Sequence, residues 1–176
     1  GYPFASIRLD SFETSPSGFS AKIFLQKNEI IRYDTLQILG KTKTKSAFLK
    51  NYLALKIGKP YNESNIKRIT QRLRELQFLE PIQAHTVLFQ NGKAKLNLYL
   101  KDKKASQFDG VIGFLPDESG TGKLNLTGEV HLKLQNSFHR GEVLEFNWKQ
   151  IPPKSQDLKV HVLYPFLFNS PFGADA

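Results

Sequence analysis

Ile30-Ile31-Arg32-Tyr33-Asp34-Thr35-Leu36-Gln37-Ile38 opens the stretch whose reading decides the fold, and that stretch runs on to Leu100. The segment is apolar and β-branched enough to be a strand, and Gly40 is expected to stop it. Thr44 or Ser46 is placed to cap a first helix, in which Phe48 and Tyr52, and Leu49 and Leu53, meet at i,i+4. Gly58 and Pro60 end it, because glycine takes the left-handed turn and proline cannot continue a helix. Asn62 then caps a second helix with Ile66, Ile69, Leu73 and Leu76 on one stripe and Lys67, Arg68, Arg72 and Arg74 mostly elsewhere. Pro81 marks its exit. Residues 82–89, a Gln90-Asn91-Gly92 turn and residues 94–100 make a hairpin, in which Leu96, Leu98 and Leu100 alternate with polar residues. The expectation is an α+β unit of order β-α-α-β-β. Its single mixed sheet carries both helices on one face and buries the second-helix stripe with Phe48 and Leu53.

Downstream, Lys101-Asp102-Lys103-Lys104 is a solvated charge run and a candidate boundary. Beyond it the pattern changes from helical to strictly period-two. Phe108, Gly110, Ile112 and Phe114 share one parity, and the turn chemistry of Pro116-Asp117-Glu118-Ser119-Gly120 follows. From Leu124 to Phe138 apolar residues alternate with Asn125, Thr127, Glu129, His131, Lys133 and Gln135. Residues 136–141 turn the chain. Leu144, Phe146 and Trp148 then alternate with Glu145, Asn147 and Lys149; after a turn at Pro152-Pro153-Lys154-Ser155, Leu158, Val160, Val162 and Tyr164 do the same. A transmembrane β-strand takes about 9–11 residues, whereas a globular strand takes about five or six. These long segments, apolar on one side and polar on the other, predict antiparallel strands of an outer-membrane barrel. The lipid-facing set is Leu126, Val130, Leu132, Leu144, Phe146, Trp148, Val160 and Val162. The alternative is a long soluble sheet with its apolar face on a core.

Upstream, residues 4–12 and 19–26 form two short strands around Thr14-Ser15-Pro16-Ser17-Gly18, a hairpin that would be marginal alone. Gly1-Tyr2-Pro3 reads as the middle of a longer chain. Either residues 1–28 are the last hairpin of a preceding unit, or the hairpin extends the sheet that follows.

The 176 residues are 40% hydrophobic and carry a formal charge of +9. That charge is uneven: residues 1–104 hold 19 Lys/Arg against 8 Asp/Glu, and residues 105–176 hold 6 against 8. The cations are scattered rather than set among stacking aromatics, so no nucleic-acid partner is expected, and an anionic lipid surface suits them better. With no cysteine, disulfides and thiolate chemistry are excluded. No apolar run approaches the roughly 20 residues of a membrane helix. Gly120-Thr121-Gly122-Lys123 lacks the spacing of a phosphate loop and reads as a turn. His85, His131, His139 and His161 lie apart, without metal-ligand spacing. No catalytic set and no cofactor are expected.

The order of elements at 30–100, with Gly40 after the first strand and Gly58-Lys59-Pro60-Tyr61-Asn62 between the helices, resembles a POTRA domain of the BamA/TamA family. Phe108-Asp109-Gly110-Val111-Ile112-Gly113-Phe114 looks like the first barrel strand of that family, Asn136 through Gly141-Glu142 like the periplasmic turn after the second, and Tyr164-Pro165-Phe166-Leu167-Phe168 like the end of the fourth. The resemblance implies three parts: residues 1–28 as a POTRA remnant, 29–104 as a POTRA domain, and 105–176 as the start of an incomplete barrel. It further implies a bacterial outer-membrane location with the POTRA part in the periplasm. The function implied is insertion or translocation of outer-membrane proteins. Ile82, Ala84, Thr86 and Leu88 would receive an extended substrate by strand addition, and the strand bearing Phe108, Gly110, Ile112 and Phe114 would be a lateral gate. Implied partners are unfolded outer-membrane proteins, outer-membrane lipid, and accessory lipoproteins or other periplasmic proteins. A two-partner-type secretion pore and a soluble interaction module remain the alternatives.

Overall fold

The alternation at Ala94, Leu96, Leu98 and Leu100 becomes β6 (Lys93–Asp102), where all four side chains are at most 2% exposed. The computed structural model describes residues 1–116, 124–151 and 155–176. β3 (Arg32–Lys41) lies parallel to β6 on one side; β4 (Leu79–Pro81) and β5 (Thr86–Gln90) lie antiparallel on the other. Between β3 and β4 the chain forms α1 (Ser46–Tyr52) and α2 (Glu63–Glu75). Phe48, Leu49, Ile66, Ile69 and Leu73 join the four apolar β6 residues in one buried cluster, which also takes in Leu53 and Leu76. Since one parity of β6 meets both helices, both lie on the same face of this sheet, as the spacing predicts. Leu98 and Leu100 have no exposed surface, and burial of each contributes about 1.5–3 kcal/mol.

Asn62 caps α2 as expected, its side-chain oxygen accepting from the amides of Ser64 and Asn65 at 3.0 and 3.4 Å. α1 starts differently. Its N-cap is Lys45, with no side-chain cap, and neither Thr44 nor Ser46 serves. The Thr44 hydroxyl instead accepts a bond from Asn136, 92 residues away, so a tertiary partner displaces the local cap. β3 does not stop at Gly40 but runs through it to Lys41. Gly40 has φ +102, and a Cβ there would stand 2.3 Å from the Leu100 carbonyl oxygen, so glycine is required by the close approach of β3 and β6. A register shift between Tyr33 and Thr35 explains why buried Ile31 and Tyr33 are followed by buried Leu36 on the opposite parity. Of the expected strand over residues 82–89 only the part from Thr86 onward forms, in β5; β4 ends at Pro81, which still pairs with Leu100, and residues 82–85 lie in no strand.

Residues 6–26 form a hairpin of β1 (Ser6–Ser15) and β2 (Gly18–Gln26), with an irregularity between Asp10 and Glu13 where Ser11 adopts φ +52. It is a two-stranded sheet of its own and does not extend the sheet of β3–β6. Phe4, just before it, packs edge-on to Phe89, which in turn packs edge-on to Tyr61.

The second half is a separate antiparallel sheet: β7 (Gln107–Pro116), β8 (Leu124–Gln135), β9 (Val143–Ile151), β10 (Ser155–Tyr164) and β11 (Ala174–Asp175), neighbours in that order. β8 ends at Gln135, three residues short of the expected Phe138, which sits exposed in the following turn. The sheet is open, with β7 at one edge and the short β11 at the other. The expected turn residues 117–120 and 152–154, and the 120–123 glycine pair, lie outside the described residues.

Candidate functional site

Asn91 (φ +50) and Gly92 (φ +71) form the two-residue turn between β5 and β6 and thereby set the phase of the outer edge. In such a hairpin the flanking pair, Gln90 and Lys93, exchanges both backbone bonds; alternation then gives Leu88–Lys95 and Thr86–Asn97 the same pattern. The N–H and C=O groups that face away from β6 therefore belong to Val87 and Phe89, and no described strand pairs with them. Of the four residues expected on this edge, Thr86 and Leu88 are in β5 but bond inward, while Ile82 and Ala84 lie in the link outside any strand. The amide of Ile82 donates to the Tyr99 carbonyl at 3.0 Å, and the Thr86 hydroxyl lies near Asn97 and Tyr99. The missed signal was Asn91-Gly92 itself, since the turn type fixes which amides point outward.

Across the face of this sheet, from β3 to β5, runs a trough of about 410 Å³ lined by Asp34, Leu88, Gln90, Asn91, Lys93 and Lys95. The Thr35 hydroxyl and then Lys93, 3.1 Å away, hold the Asp34 carboxyl below its usual range. On the helix side, burial lowers the imidazole of His85, which lies 3.2 Å from the Thr70 hydroxyl.

The second surface is the sheet of β7–β10. Its register aligns residues into rows across the strands. Phe108, Leu132, Phe146 and Val160 form one row; Gly110, Val130, Trp148 and Leu158 form the next; Leu134, Leu144 and Val162 form a third, and Phe114 lies opposite Leu126. All eight residues expected on one face are on one face. No described element covers that face: Phe108 is 71% exposed, Phe114 65% and Val160 59%. The other face is polar. Lys133 pairs with Glu145 at 2.6 Å and Lys149 with Glu129 at 3.4 Å, while His131 contacts Asn147 and His161 contacts Asp175. β7, the free edge, differs by carrying apolar side chains on both faces: Phe108, Ile112 and Phe114 on one, and Val111 and Leu115, beside Gln107 and Asp109, on the other. A Cβ on Gly128 would meet the Val111 carbonyl oxygen at 2.4 Å, so glycine brings β7 against β8 there.

A joint connects the two sheets, and its partners lie far apart in the chain. Asn136 Nδ2 donates to the Thr44 hydroxyl at 2.9 Å, both side chains being buried, and the Lys45 amide donates to the His139 carbonyl at 2.8 Å. Phe48 packs on Phe166 and against Gly141 (φ +80), where any Cβ would clash with the Phe48 ring. Glu142 is 1% exposed, and its carboxyl accepts from the amides of Phe138 and Arg140, which locks the turn. Among the described residues no cluster of His, Asp or Glu could hold a metal ion.

The family model for POTRA, the surface antigen variable number repeat, matches residues 31–103. Those residues are a POTRA domain. Its bounds coincide with the unit of β3 to β6 and the two helices. Among solved structures, the chain is similar to BamA from Haemophilus ducreyi lacking POTRA domains 1–3, at 13% identity and a TM-score of 0.63 over 99% of this chain and 32% of that one. At that identity the likeness is one of fold, and it takes in both the POTRA domain and the antiparallel sheets around it. CdiB from Acinetobacter baumannii matches at 18% identity and a TM-score of 0.49, over 93% of this chain and 30% of that one. The chain thus spans about a third of the length of either structure. No curated protein matches its sequence.

Proposed function

We propose that this chain is part of an outer-membrane factor that inserts or translocates β-strand proteins, with its POTRA domain in the periplasm and β7–β10 in the lipid. One observation carries the reading: an uncovered apolar sheet face, in register over four strands of about membrane-spanning length and backed by a polar face, is joined directly to a POTRA domain. Soluble proteins rarely leave a continuous apolar patch of that extent in water. In a bilayer the same face lies against hydrocarbon, and the Lys133–Glu145 side faces the wet interior.

Substrate handling follows from the backbone. An unfolded outer-membrane protein in extended form adds a strand to β5 through the outward amide and carbonyl groups of Val87 and Phe89, with no fixed sequence required. β7, with a free edge and apolar side chains on both faces, is the strand that would exchange partners laterally. Accessory lipoproteins and other periplasmic partners belong to the same reading. So does the expectation that the chain catalyses no bond-making.

The test is Val87→Pro. Proline is tolerated on an edge strand when its nitrogen faces outward, so the ladder to β6 is kept although some of Val87's packing on the core is lost; an edge donor is removed and the ring obstructs an incoming strand. With the full-length protein in vesicles, binding of an extended outer-membrane peptide is expected to weaken about fivefold, the worth of one hydrogen bond. Val87→Thr leaves it unchanged. Equal binding by Val87→Pro and wild type, with both folded, rules out strand addition at β5.

A further inference from the structure

One group of the POTRA domain's basic residues stands where that domain meets the second sheet. β3 ends at Lys41, which lies opposite Lys101 at the end of β6, and the chain then continues through Lys43 and Lys45 to the joint. From β6, Lys103 and Lys104 lead into β7, and Arg140 projects from the joint turn. Lys41, Lys43, Lys45, Lys103, Lys104 and Arg140 are all exposed.

The nearby acids are occupied. Asp102 is held by the Thr42 hydroxyl at 2.5 Å and the Lys43 amide at 3.1 Å; Glu80 pairs with Lys101 at 3.1 Å, and Glu142 is buried within the turn. The six cations outnumber the exposed carboxylate of Asp102, whose charge the hydroxyl and amide bonds do not cancel, and form a net positive collar. α1 and the β8–β9 turn fix it to the sheet, because the Lys45 amide is itself bonded to the His139 carbonyl.

We infer that this collar docks on the anionic phosphate headgroups of the leaflet in which the sheet is embedded. The inference rests on the reading of β7–β10 as membrane strands and adds a lipid-binding surface to the POTRA domain. The position supports it. Lys103 and Lys104 precede Gln107 by only a few residues, and an extended chain rises about 3.3 Å per residue. The headgroup region occupies about 5–8 Å on each side of the hydrocarbon. Cations just beyond the apolar rows thus stand at headgroup depth, with lysine stems long enough to reach phosphate. An acidic polypeptide would have to compete for a surface that the bilayer already meets.

The experiment measures amine-labelling rates in the full-length protein, reconstituted in phosphatidylcholine vesicles and in vesicles containing phosphatidylglycerol. An anionic leaflet concentrates protons at its surface and slows the reaction of nearby lysines. Lys43, Lys103 and Lys104 are expected to react about threefold more slowly in the anionic vesicles, the enrichment of a monovalent cation at such a surface. High salt abolishes the difference, and Lys67 on α2 shows none. Lipid-borne quenching of a probe at Val160, measured on the same samples, reports separately whether the sheet is embedded. Quenching at Val160 with equal lysine rates in both lipids overturns the collar alone. Slow rates independent of lipid charge identify a protein contact and overturn it too. Absent quenching removes both readings together.

Discussion

The Thr44–Asn136 bond makes the POTRA domain and the long sheet one mechanical unit, and its energy is measurable by a double-mutant cycle. Asn136→Ala removes two bonds, to the Thr44 hydroxyl at 2.9 Å and from the Gly141 amide at 2.8 Å. Asn136 also stands at φ +56, where alanine is disfavoured by about 1 kcal/mol. With each bond worth about 0.5–1.5 kcal/mol, the substitution should cost about 2–4 kcal/mol. Thr44→Val keeps the shape but leaves the Asn136 amide nitrogen buried and unpaired, at about 1–3 kcal/mol. Once alanine stands at 136, valine at 44 strands nothing, so the double variant should lose less than the sum by about 1–2 kcal/mol. Urea unfolding in detergent micelles, followed by Trp148 emission, measures all four corners. Strict additivity would refute the joint, because two side chains that do not touch have no coupling energy.

Leu73→Ala, in the α2 stripe at 2% exposure, should cost about 2–5 kcal/mol in the same unfolding assay, and an unchanged midpoint would remove the helix-face assignment. Burial lowers His85 from its ordinary value of 6.5, so the folded state holds the imidazole neutral. The unfolded chain then binds more protons below that value, and stability should decline as pH falls from about 6.5 through the lower native value. His85→Gln should flatten this decline; an identical pH profile for variant and wild type would refute the assignment. A lysine at Val130, one row further from the headgroup collar with Gly110, Trp148 and Leu158, should cost more in a bilayer than one at Leu132, approaching the mid-membrane cost of about 2–4 kcal/mol. Folding yield into vesicles checks it, and an unaffected yield would count against the lipid face.

What could be read from residues alone was whatever a short period carries. The parity of Leu96, Leu98 and Leu100 needed only period two, and so did the rows of β7–β10, whose mutual registers run without a shift. The Asn62 cap is local chemistry and formed as expected, and the hairpin turn formed at its expected place but with Gln90 drawn into β5 and Lys93 into β6. What was not legible depends on distant partners. Thr44 looks like a cap until Asn136 takes its hydroxyl, and Gly40 looks like a stop until Leu100 approaches it. Nothing local in the sequence marks Glu142 as buried, yet the amides of its own turn fold around it. The edge of β5 depends on phase: alternate side chains counted from residue 82 point to Thr86 and Leu88, whereas the turn at 91–92 turns the amides of Val87 and Phe89 outward.

In the proposed function one face of β7–β10 meets lipid and the other meets water. Val160 and Lys159 are neighbours in β10 on opposite faces, and both are exposed, at 59% for the residue and 74% for the side chain respectively. A fluorophore attached at each position in turn, in the full-length protein reconstituted in bilayers, can be challenged with a quencher confined to the lipid tails and with one confined to water. The account predicts tail-quencher access at Val160 and aqueous access at Lys159. Aqueous access at both positions, with no quenching from the tails, would contradict it.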